Sequence, residues 1–199
     1  MRVVLLKRKL TSFQIIIIGF SGVIIFGTFL LMLPFSSRSG LATPFFEALF
    51  TSTSAVCVTG LIIHDTATYW SVFGQIVILL LIQIGGMGVI TVAASFAMIS
   101  GRKISLMQRS TMPKVGGIVR LTGFIVRGTL VMELLCAAVM APVFCRDFGK
   151  KGLWMALFHS VSAFCNAGFD LLGVRTPFSS LTSYAANPVI NFTIMFLIV

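Results

Sequence analysis

The chain has 199 residues, with 15 Lys and Arg against 5 Asp and Glu, 57% hydrophobic and 10% charged residues, and a mean hydropathy of +1.05. Soluble domains average about 45 to 50% apolar and about 25% charged residues, so this chain has too little charge to coat a water-facing surface and reads as an all-α integral membrane protein. The formal charge of +10 would suit a nucleic-acid binder, but the cations sit between apolar runs, where topology determinants belong, and that partner is excluded.

A bilayer core needs about 20 apolar residues per helix. Residues 1–10 are basic and run into an apolar stretch without a small-residue cleavage site, so they lead into a retained first span and not a secretory signal. Residues 13–35 carry no charge and form that first span. Residues 44–55 are too short to cross and predict a re-entrant helix: Thr43 can cap it, Pro44 suits its first position, and Glu47 falls in its first turn. Residues 69–100 are uncharged and longer than a span requires. A third span is predicted over residues 118–145, with Arg120, Arg127 and Glu133 inside it, followed by a second short apolar stretch at 153–163. The last apolar run, 188–199, is too short to span. A helix halting inside a membrane leaves carbonyls without partners, so the sequence reads as the leading part of a longer protein.

The two short stretches align without a gap at an offset of 108. Residues 48–61 (ALFTSTSAVCVTGL) lie over residues 156–169 (ALFHSVSAFCNAGF), and eight of fourteen positions are identical, where composition predicts roughly one. Each unit therefore reads as span, short re-entrant helix, polar turn ending in Gly, span, with residues 1–120 forming the first unit and residues 121–199 an incomplete second. Nine basic residues and no acid lie before the first span and after the second (Arg2, Lys7, Arg8, Lys9, Arg102, Lys103, Arg109, Lys114, Arg120). That bias places both segments, and the N-terminus, in the cytoplasm, so the turns open from the outer face.

Irregular backbone at membrane depth is tolerated only where it is buried in protein or lines a water-filled cavity. A dehydrated cation needs oxygen ligands, and backbone carbonyls supply them without placing a full charge in the membrane. Gly60 and Gly168 give the chain the left-handed freedom such a turn needs, and Ser52, Ser54, Ser160 and Ser162 are placed to brace it. Small-residue apolar helices also serve as plain packing elements in bundles; duplication of the whole Ser-x-Ser-Ala-x-Cys-x-x-Gly string argues against that alternative.

Three strings carry a resemblance. Residues 51–61 (TSTSAVCVTGL), followed by His64-Asp65-Thr66, resemble the first selectivity-filter loop of the Trk/Ktr/HKT superfamily of potassium transporters. Gln83-Ile84-Gly85-Gly86-Met87-Gly88 is similar to that family's glycine-bearing second helix, and residues 159–171 (HSVSAFCNAGFDL) resemble its second filter loop. The likeness covers nearly the whole chain and is greatest to the bacterial Ktr- or Trk-type membrane subunit. It implies a potassium-channel-like fold of four repeats around one pore, of which the third and fourth are absent here. It implies filter segments at Val56, Cys57, Val58, Thr59 and Gly60, and at Phe164, Cys165, Asn166, Ala167 and Gly168. It further implies potassium as substrate, sodium as a co-ion or activator, a homodimer in the plasma membrane, and a cytoplasmic nucleotide-binding regulatory ring whose binding loop is not in this chain. The resemblance associates a glycine at the first filter with potassium selectivity, and Gly60 fits.

Asp65 and Asp170 fall near the outer mouth, where a carboxylate concentrates cations; a solvated loop acid is the alternative. Glu133 is the only acid within a span and hence a functional candidate. Arg127 is the nearest partner in sequence, but six residues is a poor helical spacing, which favours an inter-repeat contact. His64 and His159 read as structural. Cys57, Cys136, Cys145 and Cys165 show no metal spacing or disulfide framework. Gly85, Gly86 and Gly88 suit either a hinge or close packing. No catalytic set converges, so the chain is no enzyme. Potassium uptake leads the readings; a proton-coupled cation transporter and a non-transporting fragment are the rivals.

Overall fold

The computed structural model describes residues 12–99 and 114–199; the basic residues Arg2 to Lys9 and Arg102 to Arg109, on which the topology expectation rests, lie outside them. The described residues fold into helices: α1 (Ser12–Met32), α2 (Phe45–Val56), α3 (Thr66–Tyr69), α4 (Val72–Ile99), α5 (Lys114–Phe148), α6 (Lys151–Phe164) and α7 (Pro188–Ile198), with short 3-10 turns over Pro34–Ser36, Leu172–Val174 and Ser180–Tyr184. At 1.5 Å per residue, the 21 residues of α1 reach about 31 Å, close to a bilayer's hydrocarbon thickness. Within α5, the stretch Gly123–Phe148 is by itself long and apolar enough to cross a membrane.

Two units repeat one arrangement. The short helix α2 packs against α1 and α4, and α6 packs against α5 and α7, while α1 touches α4 as α5 touches α7. Contacts of α4 with α5 and α6 join the units. The shared interior buries Leu31, Trp70, Ile78, Ile82, Met140, Phe144 and Phe158 completely, whereas Ile17, Phe26 and Phe29 of α1 and Leu134, Leu135 and Val139 of α5 stand outward and exposed. Apolar groups turned outward along long helices suit a lipid surround.

Two local expectations are corrected. The second span does not start at residue 69. Asp65 caps the separate helix α3, and Trp70 is extended (φ −82°, ψ 136°) because the chain there bridges back to the first unit's loop. Arg38 N–H donates to Tyr69 O and Ser71 N–H to Ser36 O, both at 2.9 Å, and α4 begins only at Val72. Thr43 does not cap α2 either. Pro44 occupies the capping position with its carbonyl accepting Ala48 N–H (3.0 Å), and Thr43 Oγ1 accepts the Tyr69 hydroxyl (3.2 Å).

Candidate functional site: two repeated turns

The first turn closes α2. Val56 is the last helical residue and Cys57 caps it (φ −84°, ψ 0°); Cys57 N–H donates to Thr53 O (2.8 Å), Val58 N–H to Ala55 O (3.4 Å) and Thr59 N–H to Ser54 O (3.0 Å). The second turn repeats this bond by bond. Phe164 ends α6 and Cys165 caps it (φ −76°, ψ −4°), with donations from Cys165 to Val161 O (3.0 Å), Asn166 to Ala163 O (2.9 Å) and Ala167 to Ser162 O (2.7 Å). Backbone φ is positive at Val58 (57°), Gly60 (73°), Asn166 (55°) and Gly168 (75°), while Thr59 and Ala167 between them stay out of that region. The sign of φ therefore alternates along both turns.

The turns meet at their glycines. A Cβ on Gly60 would lie 2.8 Å from Ala167 O, and one on Gly168 would lie 3.2 Å from Gly60 Cα. The left-handed backbone favours glycine at both positions, and at Gly60 the approach of the Ala167 carbonyl also leaves no room for a side chain. Cys57, Thr59, Asn166 and Gly168 are exposed, Val58, Gly60 and Phe164 half-buried, and Val56, Cys165 and Ala167 buried. A cavity of about 140 Å³ lies against the second turn, with His159, Ser162, Asn166, Gly168 and Asp170 in its wall.

Serines brace the turns, and one pair does so identically. Ser52 Oγ donates to Ile24 O of α1 (2.8 Å), and Ser160 Oγ to Glu133 O of α5 (2.7 Å), so each short helix is tied to the long helix before it. The second pair diverges: Ser54 Oγ accepts from Thr59 Oγ1 (2.9 Å), whereas Ser162 Oγ donates to Phe169 O (2.6 Å).

Helix α4 supports both turns from behind. The glycines left open between hinge and packing are packing residues at two positions. A Cβ on Gly85 would collide with the Val56 carbonyl, and one on Gly86 would sit 2.5 Å from Cys165 Sγ. Gln75 bolts the units together: its Oε1 accepts Trp154 Nε1–H of α6 (2.8 Å) while its Nε2 donates to Trp70 O (3.2 Å). Glu133, 1% exposed, lies beside Gln83 of α4 and the Cys165 thiol, an inter-unit contact; Arg127 is exposed and forms no ion pair with it.

The two acids expected at the outer mouth differ in placement. Asp170 is half-buried and accepts Leu172 N–H (2.9 Å). Asp65 is buried: its Oδ1 accepts from Ala67 N–H (3.1 Å), Thr68 N–H (2.9 Å) and Thr68 Oγ1 (2.9 Å), and its Oδ2 from Phe178 N–H (2.9 Å). His64 bonds Glu47 (2.6 Å) and stacks on Tyr69. His159 Nδ1 faces Met155 O (2.7 Å) and its Nε2 faces Leu171 N–H (3.4 Å), which fits a neutral ring. Tyr184 donates to Asp147 (2.7 Å), and burial together with that carboxylate pushes its phenol up to about 12. Among the described residues, no three His, Cys, Asp or Glu side chains gather as a metal site.

Residues 7–199 match the family described as TrkH, cation transport protein. The chain is 44% identical over 174 residues to the potassium/sodium uptake protein NtpJ of Enterococcus hirae, covering 84% of this chain and 39% of that protein. It is 40% identical over 198 residues to the Ktr system potassium uptake protein B of Bacillus subtilis (96% and 43%), and 36% identical over 195 residues to the protein of that name from Vibrio alginolyticus (94% and 41%). The chain thus spans about two fifths of the length of these relatives.

Proposed function

The chain belongs to the TrkH family of cation transport proteins, and on that premise we propose that its two turns form adjacent parts of one potassium-selective path through the membrane. The observation that carries this reading is the same alternating backbone at two places 108 residues apart, meeting at Gly60 and Gly168. In a strand successive carbonyls point to opposite sides; alternation in the sign of φ lets them face one side, as a dehydrated cation requires. Each turn also follows the C-terminal end of a short helix, where the dipole is negative and favours a cation. Val56 and Phe164 set the helix ends, Cys57 to Gly60 and Cys165 to Gly168 offer the carbonyls, and Asp170 stands beside the cavity at the second turn.

Potassium crosses down its electrochemical gradient, helped by about 2.3 kcal/mol per charge per 100 mV of membrane potential. The relatives' names, potassium uptake and potassium/sodium uptake, support potassium as the substrate; the same reading takes sodium as a co-ion or activator and calls on no resident cofactor in this chain. The same reading has the N-terminus in the cytoplasm, a second copy as partner in a homodimer, and a cytoplasmic nucleotide-binding ring as regulator. It is tested by potassium uptake in cells lacking their own uptake systems, expressing the complete reading frame that encodes this chain. Rescue of growth at low potassium is the expected result; no rescue by protein present in the membrane overturns the reading.

A further inference from the structure

Asp65 is one of the most heavily engaged side chains among the described residues, and its partners come from both units. Through Oδ1 it caps α3 in the first unit's loop; through Oδ2 it accepts the backbone N–H of Phe178, 113 residues away in the second unit's loop, at 2.9 Å. The approach is tight. A Cβ on Gly173 would collide with the Asp65 carboxylate, and Phe178 holds a left-handed φ of 59° where it presents its N–H. Asp65 as a whole is 6% exposed, so little of its charge reaches water or a passing ion directly.

These loops are the continuations of the two turns, Asp65 lying five residues beyond Gly60 and Gly173 five beyond Gly168. We propose that Asp65 is a positioning residue for ion selection: it clamps the loop after the first turn to the loop after the second and so holds Gly60 against Gly168. This rests on the reading of the two turns as one cation path. It differs from a role as a cation-attracting charge in a measurable way. Coulomb attraction to a carboxylate treats potassium and sodium alike, so losing an attractor lowers the uptake of both together. Losing a clamp alters the spacing of carbonyl ligands and changes the ratio between the two ions.

Two substitutions separate the clamp from the helix cap. Asp65→Asn keeps an oxygen for α3 but sets an amide N–H against the Phe178 N–H, and Asp65→Ser keeps a good cap with a side chain too short to reach the second unit. Both are made in the complete reading frame, and rubidium uptake is measured with competing sodium and with competing potassium, alongside the amount of protein in the membrane. The expected result is membrane-inserted protein whose preference for potassium over sodium falls about tenfold, the lower end of what one lost hydrogen bond to a charged group is worth. Gly60→Ser is the reference. If it lowers the preference and the Asp65 variants leave the ratio unchanged, the clamp is overturned and the cation path stands. If Gly60→Ser also leaves the ratio unchanged, the path itself fails. Absence of both Asp65 variants from the membrane also overturns the proposal, because the carboxylate would then be holding the fold and not the selectivity.

Discussion

In the first turn a valine, Val58, holds a left-handed φ of 57°, whereas in the second an asparagine, Asn166, holds 55° at the equivalent position. Asparagine is several-fold enriched in that region and a β-branched residue is an outlier there, so two backbones alike in shape differ in stored strain. Their supports differ as well. Thr59 closes the first turn through the Ser54 hydroxyl, but Ala167 has no hydroxyl, and Ser162 instead reaches forward to the Phe169 carbonyl. Behind them, Gly85 admits the Val56 carbonyl and Gly86 admits the Cys165 side chain. The comparison separates what the geometry demands from what it tolerates. Both copies keep the left-handed positions, the contacting glycines and the serine tied to the preceding helix, while the local bracing has diverged.

The largest effect is expected behind the turns. Gly85→Ala forces a methyl against backbone at the first turn and should destabilise the protein by more than about 3 kcal/mol, whereas Gly86→Ala meets the Cys165 Sγ, which can rotate away, and its Cβ, which moves only with the backbone, and should cost about 2 to 3 kcal/mol. Thermal unfolding of the detergent-solubilised protein checks the order, and a reversed order would contradict the assignment of one glycine to each turn.

Next come the contacting glycines. Gly60→Ala meets the Ala167 carbonyl as well as the left-handed penalty and should cost about 2 kcal/mol; Gly168→Ala meets only the Gly60 Cα and should cost about 1 kcal/mol. The same unfolding assay reads both. Removing the serine brace comes third: Ser162→Ala leaves the Phe169 carbonyl without its donor inside the protein and should cost about 1 to 2 kcal/mol, against under about 1 kcal/mol for Thr59→Val, which frees one hydroxyl of a neutral pair. Equal losses would show that the two bracing schemes are interchangeable.

The smallest effect is expected at the left-handed residues Val58 and Asn166. Val58→Asn should stabilise by up to about 1 kcal/mol and Asn166→Val should destabilise by a similar amount, because one relieves and the other introduces β-branched strain at positive φ. Two changes of the same sign would remove the strain argument.

Much of this arrangement is legible in the sequence because it is local or repeated. The offset of 108 pairs Cys57 with Cys165 and Gly60 with Gly168, and the lengths of the apolar runs distinguish the short helices from the long ones. Three features are not legible. The positive φ of Val58 runs against its residue preference and is imposed by the surrounding bonds. The choice between hinge and packing for Gly85 and Gly86 depends on which neighbours approach them, which no periodicity encodes. The commitments of Asp65 and Gln75 reach across 113 and 79 residues, and a lone acid in a loop looks the same whether it faces an ion or a distant N–H. Glu133 is partly legible: its poor spacing from Arg127 points to the other unit, and Gln83 is the neighbour there.

Whether both turns contribute to one cation path is decided by the potassium-over-sodium preference of Gly60→Ser and Gly168→Ser in the complete reading frame, measured by competitive rubidium uptake. Each substitution alone should lower the preference, since each adds a Cβ where the two turns touch. A protein that keeps its preference with either glycine replaced, while present in the membrane at normal levels, would contradict a path shared by both turns.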